Sequence, residues 1–219
     1  MEILAHRGLW RHPDERNSLA ALRAAFAGGF GVETDIRDHA GQVVISHDPP
    51  GPGGAPTLEQ LLEVYTASGS RQMLALNVKS DGLHGQVARA LTKVNVAPGR
   101  YFLFDMAVPE ALGYLQRNMP CFTRESEIES VPAFIDRAAG VWLDCFFGDW
   151  IDGEAILKHH KAGRRVALVS PELHGRDRSA AWQCWREVNR IVERGDRHQA
   201  LMICTDFPVE AKAYFDAED

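Results

Sequence analysis

The chain lacks most of the features that mark the specialised classes of protein. Its 219 residues contain four cysteines, Cys121, Cys145, Cys184 and Cys204, and no two stand in a CxxC pair. That spacing excludes a zinc knuckle and a thioredoxin-type redox motif, and leaves buried, reduced thiols as the expectation. No apolar run approaches the roughly 18–20 residues that a membrane-spanning helix needs. The opening Met1-Glu2-Ile3-Leu4-Ala5-His6-Arg7-Gly8 is too short and polar for a signal peptide. No stable membrane insertion and a cytoplasmic location are therefore expected. Basic runs are also missing: the nearest, Lys158 to Arg165, reads as a solvated helix end, and the net charge is -6. Nucleic acid is not an expected partner. No pattern specifies an oligomeric state.

What remains is an ordinary globular balance, 45% apolar and 25% charged, with no linker or shift of composition. One domain over residues 1–219 is expected. Short apolar runs alternate with longer amphipathic ones. Strands are predicted at Ile3 to Ala5, Gly31 to Ile36, Met73 to Val78, Tyr101 to Phe104, Pro120 to Phe122, Val141 to Leu143, Arg165 to Val169 and Leu201 to Cys204. A hairpin partner at Val43 to Ser46 follows Ala40-Gly41. Asn17-Ser18 offers an N-cap to a helix carrying Leu19, Leu22 and Phe26, and Thr57-Leu58-Glu59-Gln60 has the form of a capping box. Further helices are predicted near Leu83 to Val94, Pro109 to Gln116, Pro132 to Ala138, Asp152 to His160, Ser179 to Glu193 and Val209 to Phe215. Eight strand-then-helix units imply a parallel sheet covered by helices, and a compact (β/α)8 barrel is the architecture that takes eight. An open doubly wound sheet would carry a glycine-rich phosphate loop after the first strand, where this chain has His6-Arg7-Gly8.

In such a barrel chemistry gathers at the C-terminal strand ends. Those ends carry His6-Arg7, Glu33 with Asp35, Asn77 with Lys79, Asp105, Arg124, Asp144, Ser170 with Glu172, and Thr205-Asp206. Strand alternation turns Glu33 and Asp35 to one side. Two carboxylates so placed suit a hard divalent cation, Mg2+ or Ca2+, although a Glu-x-Asp on an exposed edge strand reads the same way. Asn77 can give the cation a neutral oxygen, and Lys79 can meet a carboxylate or a phosphate. Arg7 can hold a phosphate through paired hydrogen bonds. His6 and His47 are candidates for an acid and a base in displacement at phosphorus, against the plainer reading of structural histidines. Trp182 and Trp185, three apart on one helix, read as core residues.

Taken together, these residues resemble the glycerophosphodiester phosphodiesterase family. Its hallmark runs His-Arg-Gly, then Glu-x-Asp, then His-Asp, matched here by His6-Arg7-Gly8, Glu33-Thr34-Asp35 and His47-Asp48. Thr205-Asp206-Phe207-Pro208 resembles the family's Thr-Asp-aromatic-Pro at the last strand. The resemblance implies a TIM barrel with one divalent cation held by Glu33 and Asp35, with His6 and His47 as acid and base and Arg7 on the phosphate. It also implies a small phosphodiester substrate whose own hydroxyl attacks phosphorus. Three departures stand out. Asn77 replaces a third acidic ligand, Arg16 occupies an expected acid position, and the loop from Ser170 to Asp177 differs from the family's turn. That loop could bring Glu172 or His174 to the mouth as a ligand or a headgroup contact, or simply cap the next helix. A weakened relative that binds a phosphorylated sugar or lipid headgroup, linked to surface polysaccharide, is the alternative expectation. Another barrel hydrolase using the same mouth is a third.

Overall fold

The computed structural model describes residues 1–195 and 201–217. In chain order the elements are β1 (Glu2–His6), α1 (Leu19–Ala27), β2 (Gly31–His39), β3 (Gln42–Ile45), α2 (Leu58–Ala67), β4 (Leu74–Val78), α3 (His84–Lys93), β5 (Tyr101–Phe104), α4 (Val108–Gln116), β6 (Phe122–Glu125), β7 (Gly140–Leu143), α5 (Gly153–Lys161), β8 (Arg165–Val169), α6 (Ser179–Gly195), β9 (Met202–Thr205) and α7 (Pro208–Asp216). The sheet runs β5-β4-β2-β1-β9-β8-β7-β6, with β3 attached to β2. The β2–β4, β4–β5, β6–β7, β7–β8 and β8–β9 pairs are parallel, and β3 is antiparallel to β2 as the hairpin reading expected. The fold class is the (β/α)8 TIM barrel that the alternation implied.

Two expectations need correction. Pro132 to Ala138 is a set of turns rather than a helix. Phe134 has φ 59°, and the N–H groups of Arg137 and Ala138 both return to its carbonyl. A bulky residue in the left-handed region cannot continue a right-handed helix. Among the described residues, seven helices therefore accompany the eight strands of the barrel order. The strand expected at Pro120 to Phe122 begins at Phe122 instead. Pro120 has no N–H to give a ladder; its carbonyl accepts from Leu103 N at 2.9 Å, and Cys121 makes only an isolated bridge with Leu103.

The chain falls into two compact units, Ala5–Cys121 and Met1–Leu4 with Phe122–Asp219. In the first, Leu74, Ala75 and Leu76 of β4 and Phe102, Leu103 and Phe104 of β5 are fully buried. That is the continuous apolar run of a parallel strand covered on both faces. Leu22 and Ala25 of α1 and Leu58, Leu61 and Leu62 of α2 bury the facing helical stripes. Ser18 caps α1, its Oγ accepting from Ala21 N at 3.2 Å, and Thr57 with Gln60 forms the reciprocal capping box on α2. In the second unit Trp182 and Trp185 are buried. Their indole N–H groups donate to Ser170 Oγ at 2.7 Å and to Ile151 O at 2.9 Å, so both belong to the core as expected.

Candidate functional site

Within Ala5–Cys121 the ends of β1, β2 and β4 bring most of the expected residues together. The chain leaves β1 through two left-handed residues, Arg7 at φ 59° and Gly8 at φ 95°. Arg7 N donates to Glu33 O at 2.8 Å, which pins this turn to β2. The turn aims the guanidinium at Asp35, with Arg7 Nε 2.9 Å from Asp35 Oδ2. His6 Nε2 stands 3.9 Å from Glu33 Oε2. Asp35 and Asn77 are register partners across β2 and β4. Two residues further on, Lys79 Nζ lies 3.5 Å from Asp35 Oδ1 and 3.9 Å from Asp105 Oδ2.

Glu33 and Asp35 are buried. Burial raises the Glu33 carboxyl to about 7, with the neighbouring Asp35 charge adding to the effect and His6, Arg7 and Lys79 opposing it. Two acids turned to the same side of one strand thus compete for the same positive charge, as their alternation predicted. Asn17 adds a contact that the sequence reading did not foresee. Its Nδ2 donates to Asp35 Oδ2 at 2.9 Å, and its Oδ1 accepts from the Thr34 hydroxyl at 2.8 Å. The helix cap belongs to Ser18 alone. Asn17 itself sits at φ 61°, a conformation asparagine tolerates better than most residues, and that tolerance was the one available signal.

Three buried oxygens in this group, Glu33 Oε2, Asp35 Oδ1 and Asn77 Oδ1, accept no hydrogen bond. An all-oxygen donor set fits a hard divalent cation. Glu33, Asp35 and Asn77 are the residues that would hold one, and the ion would offset the charge that Glu33 and Asp35 place side by side. Among the described residues, no group of three or more His, Cys, Asp or Glu side chains is placed to hold a metal; the third oxygen of this set comes from the Asn77 amide.

His47 lies on the loop after β3 and is exposed over 44% of its side chain. Its Nδ1 is 2.9 Å from Asp48 Oδ1, and its carbonyl accepts from Arg37 of β2 at 2.9 Å. Arg16 stacks on Trp10, with its guanidinium carbon 4.3 Å from the ring centroid, and Trp10 Nε1 donates to His6 O at 3.0 Å. Glu172 belongs to the other unit. The hydroxyls of Ser170 and Thr205 and the N–H of Asp206 all donate to its carboxylate, so it fastens the end of β8 to the end of β9. In the same loop His174 Nε2 is 2.7 Å from Asp144 Oδ1.

No protein-family model matches the chain, and no curated protein matches it. Solved structures do. A protein of Galdieria sulphuraria, assigned as a glycerophosphodiester phosphodiesterase, shares 17% identity at a TM-score of 0.73, over 99% of this chain and 98% of that one. A glycerophosphodiester phosphodiesterase of Agrobacterium tumefaciens shares 17% at 0.66, over 97% and 99%. A phosphodiesterase of Oleispira antarctica, solved in complex with the product sn-glycerol-3-phosphate, shares 18% at 0.67, over 99% and 97%. This chain has their fold along almost its whole length.

Proposed function

We propose that this chain is a phosphoric diester hydrolase of the glycerophosphodiester phosphodiesterase type, cleaving a small alcohol–phosphate diester with the help of one divalent cation, Mg2+ or Ca2+. The observation that carries the reading is Asp35. One buried carboxylate meets Arg7, Lys79 and Asn17 beside the unpartnered oxygens of Glu33 and Asn77. Cationic side chains suited to a phosphate thus stand beside oxygens suited to a metal. The shared fold with three phosphodiesterases, one holding sn-glycerol-3-phosphate, supports the substrate class.

In this reading Arg7 and Lys79 hold the non-bridging phosphate oxygens. His6 and His47 serve as the general acid and base that move the protons. The Arg7 turn steadies the backbone of His6, and Arg37 and Asp48 steady the His47 loop. The Glu172 carboxylate, already engaged by two hydroxyls and an N–H, serves to hold the loop after β8. Residues 1–219 act as one domain. The absence of a disulfide among the four cysteines supports a reducing, cytoplasmic setting.

The test is turnover of a panel of glycerophosphodiesters by purified protein with Mg2+ or Ca2+, and then with EDTA. The expected result is activity that EDTA abolishes and that His6→Ala and His47→Ala each reduce by roughly a hundredfold or more. The neutral Asn77 favours one competing reading, a relative that binds a phosphorylated ligand and turns nothing over. Tight phosphate-ester binding without cleavage of any diester would replace the enzyme with that binder.

A further inference from the structure

Asp105 immediately follows β5 and has φ 66°, in the left-handed region, although it is not a glycine. Its position is set by register. Phe104 is the partner of Asn77, so Asp105 stands one step beyond Asn77 on the neighbouring strand. Asn77 and Lys79, two apart, turn to the same side. Lys79 Nζ lies between two carboxylates, 3.5 Å from Asp35 Oδ1 and 3.9 Å from Asp105 Oδ2. The Asp105 side chain is only 17% exposed, and the neighbouring Asn77 Oδ1 is buried without a hydrogen bond.

Charge arithmetic gives this placement a purpose. With a cation bound and Glu33 ionised against it, Glu33, Asp35 and Asp105 carry three negative charges, and Arg7 and Lys79 carry two positive ones. A divalent cation and a singly charged phosphodiester then bring the group to neutrality. Without Asp105 the same assembly holds an uncompensated positive charge, since Asn77 brings none to offset it. We infer that Asp105 is the third anionic group of this site, supplying from the end of β5 the negative charge that Asn77 does not supply from β4. The inference rests on the cation reading above.

The test is calorimetric titration of Mg2+ and of Ca2+ into three proteins: the native chain, Asp105→Asn, and the double variant Asp105→Asn with Asn77→Glu. Asparagine tolerates the left-handed conformation, so the single variant keeps its fold, which circular dichroism checks. The expected result is a cation affinity roughly tenfold or more weaker in Asp105→Asn, restored in the double variant. If the native chain binds neither ion, the cation reading fails, and this inference with it. Native binding that Asp105→Asn leaves unchanged overturns the inference alone. A loss that the double variant does not restore also overturns it, because Asp105 would then act by holding Lys79 and not by its charge at the ion.

Discussion

The side chain of Asn17 holds two consecutive residues of β2 at once: it donates to Asp35 Oδ2 at 2.9 Å and accepts from Thr34 Oγ1 at 2.8 Å. Thr34 and Asp35 point to opposite sides of the strand, so one amide fixes the rotation of the strand end as well as the carboxylate. Its backbone N–H also donates to Arg7 O at 2.9 Å, tying the β1 turn into the same knot. Asn17→Ala removes both side-chain bonds at a buried position, and a loss of about 1–3 kcal/mol is expected. Asn17→Asp costs more, because it sets a second carboxylate against Asp35 where a donor stood. Urea unfolding of the two variants checks the order. An aspartate variant as stable as the native chain would show that Asp35 does not depend on this donor.

Gly8 makes a second prediction about the same turn. A Cβ there would come within 2.7 Å of the Ala21 carbonyl carbon and 2.9 Å of its Cβ, at a φ of 95°. The obstacle is the backbone of α1, which cannot swing aside as a side chain could. Gly29, at φ 77°, would place its Cβ with nothing within 4 Å. Gly29→Ala should cost only the conformational penalty, about 1 kcal/mol. Gly8→Ala should cost at least about 3 kcal/mol or prevent folding, since it adds a clash with backbone to that penalty. Thermal melts of the pair compare them directly; equal midpoints would mean that α1 yields easily.

Much of this could be read from residues alone, and the exceptions have physical causes. The strands over Tyr101–Phe104 and Arg165–Val169 have the bounds expected of them, because a buried parallel strand is a short apolar block with polar ends. The turns at Pro132 to Ala138 were not legible, because a left-handed Phe134 leaves no mark in periodicity. At the site, Arg7, Glu33, Asp35, Asn77 and Lys79 lie together because strand register converts a spacing of two into a shared face. Asn17 reads as a helix cap in sequence, since asparagine before serine suits either role and only the fold brings Asp35 to it. The stacking of Arg16 on Trp10 was likewise invisible, because it depends on how the chain folds back after His6. The Glu172 contacts with Thr205 and Asp206 join residues more than thirty positions apart, beyond any local pattern.

The thiols give a chemical prediction. Burial pushes the Cys121 thiol up to about 12 and the Cys145 thiol to about 11, the latter despite the opposing pull of Arg176. The thiolate is the nucleophile, so both should be nearly inert at pH 8. Cys184 is also raised by burial but is partly exposed. Iodoacetamide on the native protein should label Cys184 first, and label all four cysteines only in denaturant. Peptide mass mapping reads the order. Early modification of Cys121 would show that its surroundings open more readily than their burial suggests.

The last prediction concerns acid stability and turns on His159 of α5. This side chain is almost completely buried, with Nε2 2.8 Å from Glu125 Oε2, while Lys158 Nζ lies 3.0 Å from Glu125 Oε1. Burial lowers the His159 imidazole below its ordinary value. Glu125 pulls the other way, but Lys158 and Arg164 oppose a further positive charge. The native state therefore takes up this proton less readily than the unfolded chain does, whose histidines titrate near about 6.5. Where the unfolded state binds more protons, stability rises with pH. The contribution is present above about 6.5 and is lost as pH falls through that value toward the lower native one. Urea midpoints at pH 7.5 and 5.5 should drop for the native chain, and drop less for His159→Gln, which cannot take the proton. Comparing the two drops isolates His159 from the other eight histidines of the chain. An equal drop in the variant would assign the acid sensitivity to another group and leave the buried His159–Glu125 pair without a part in it.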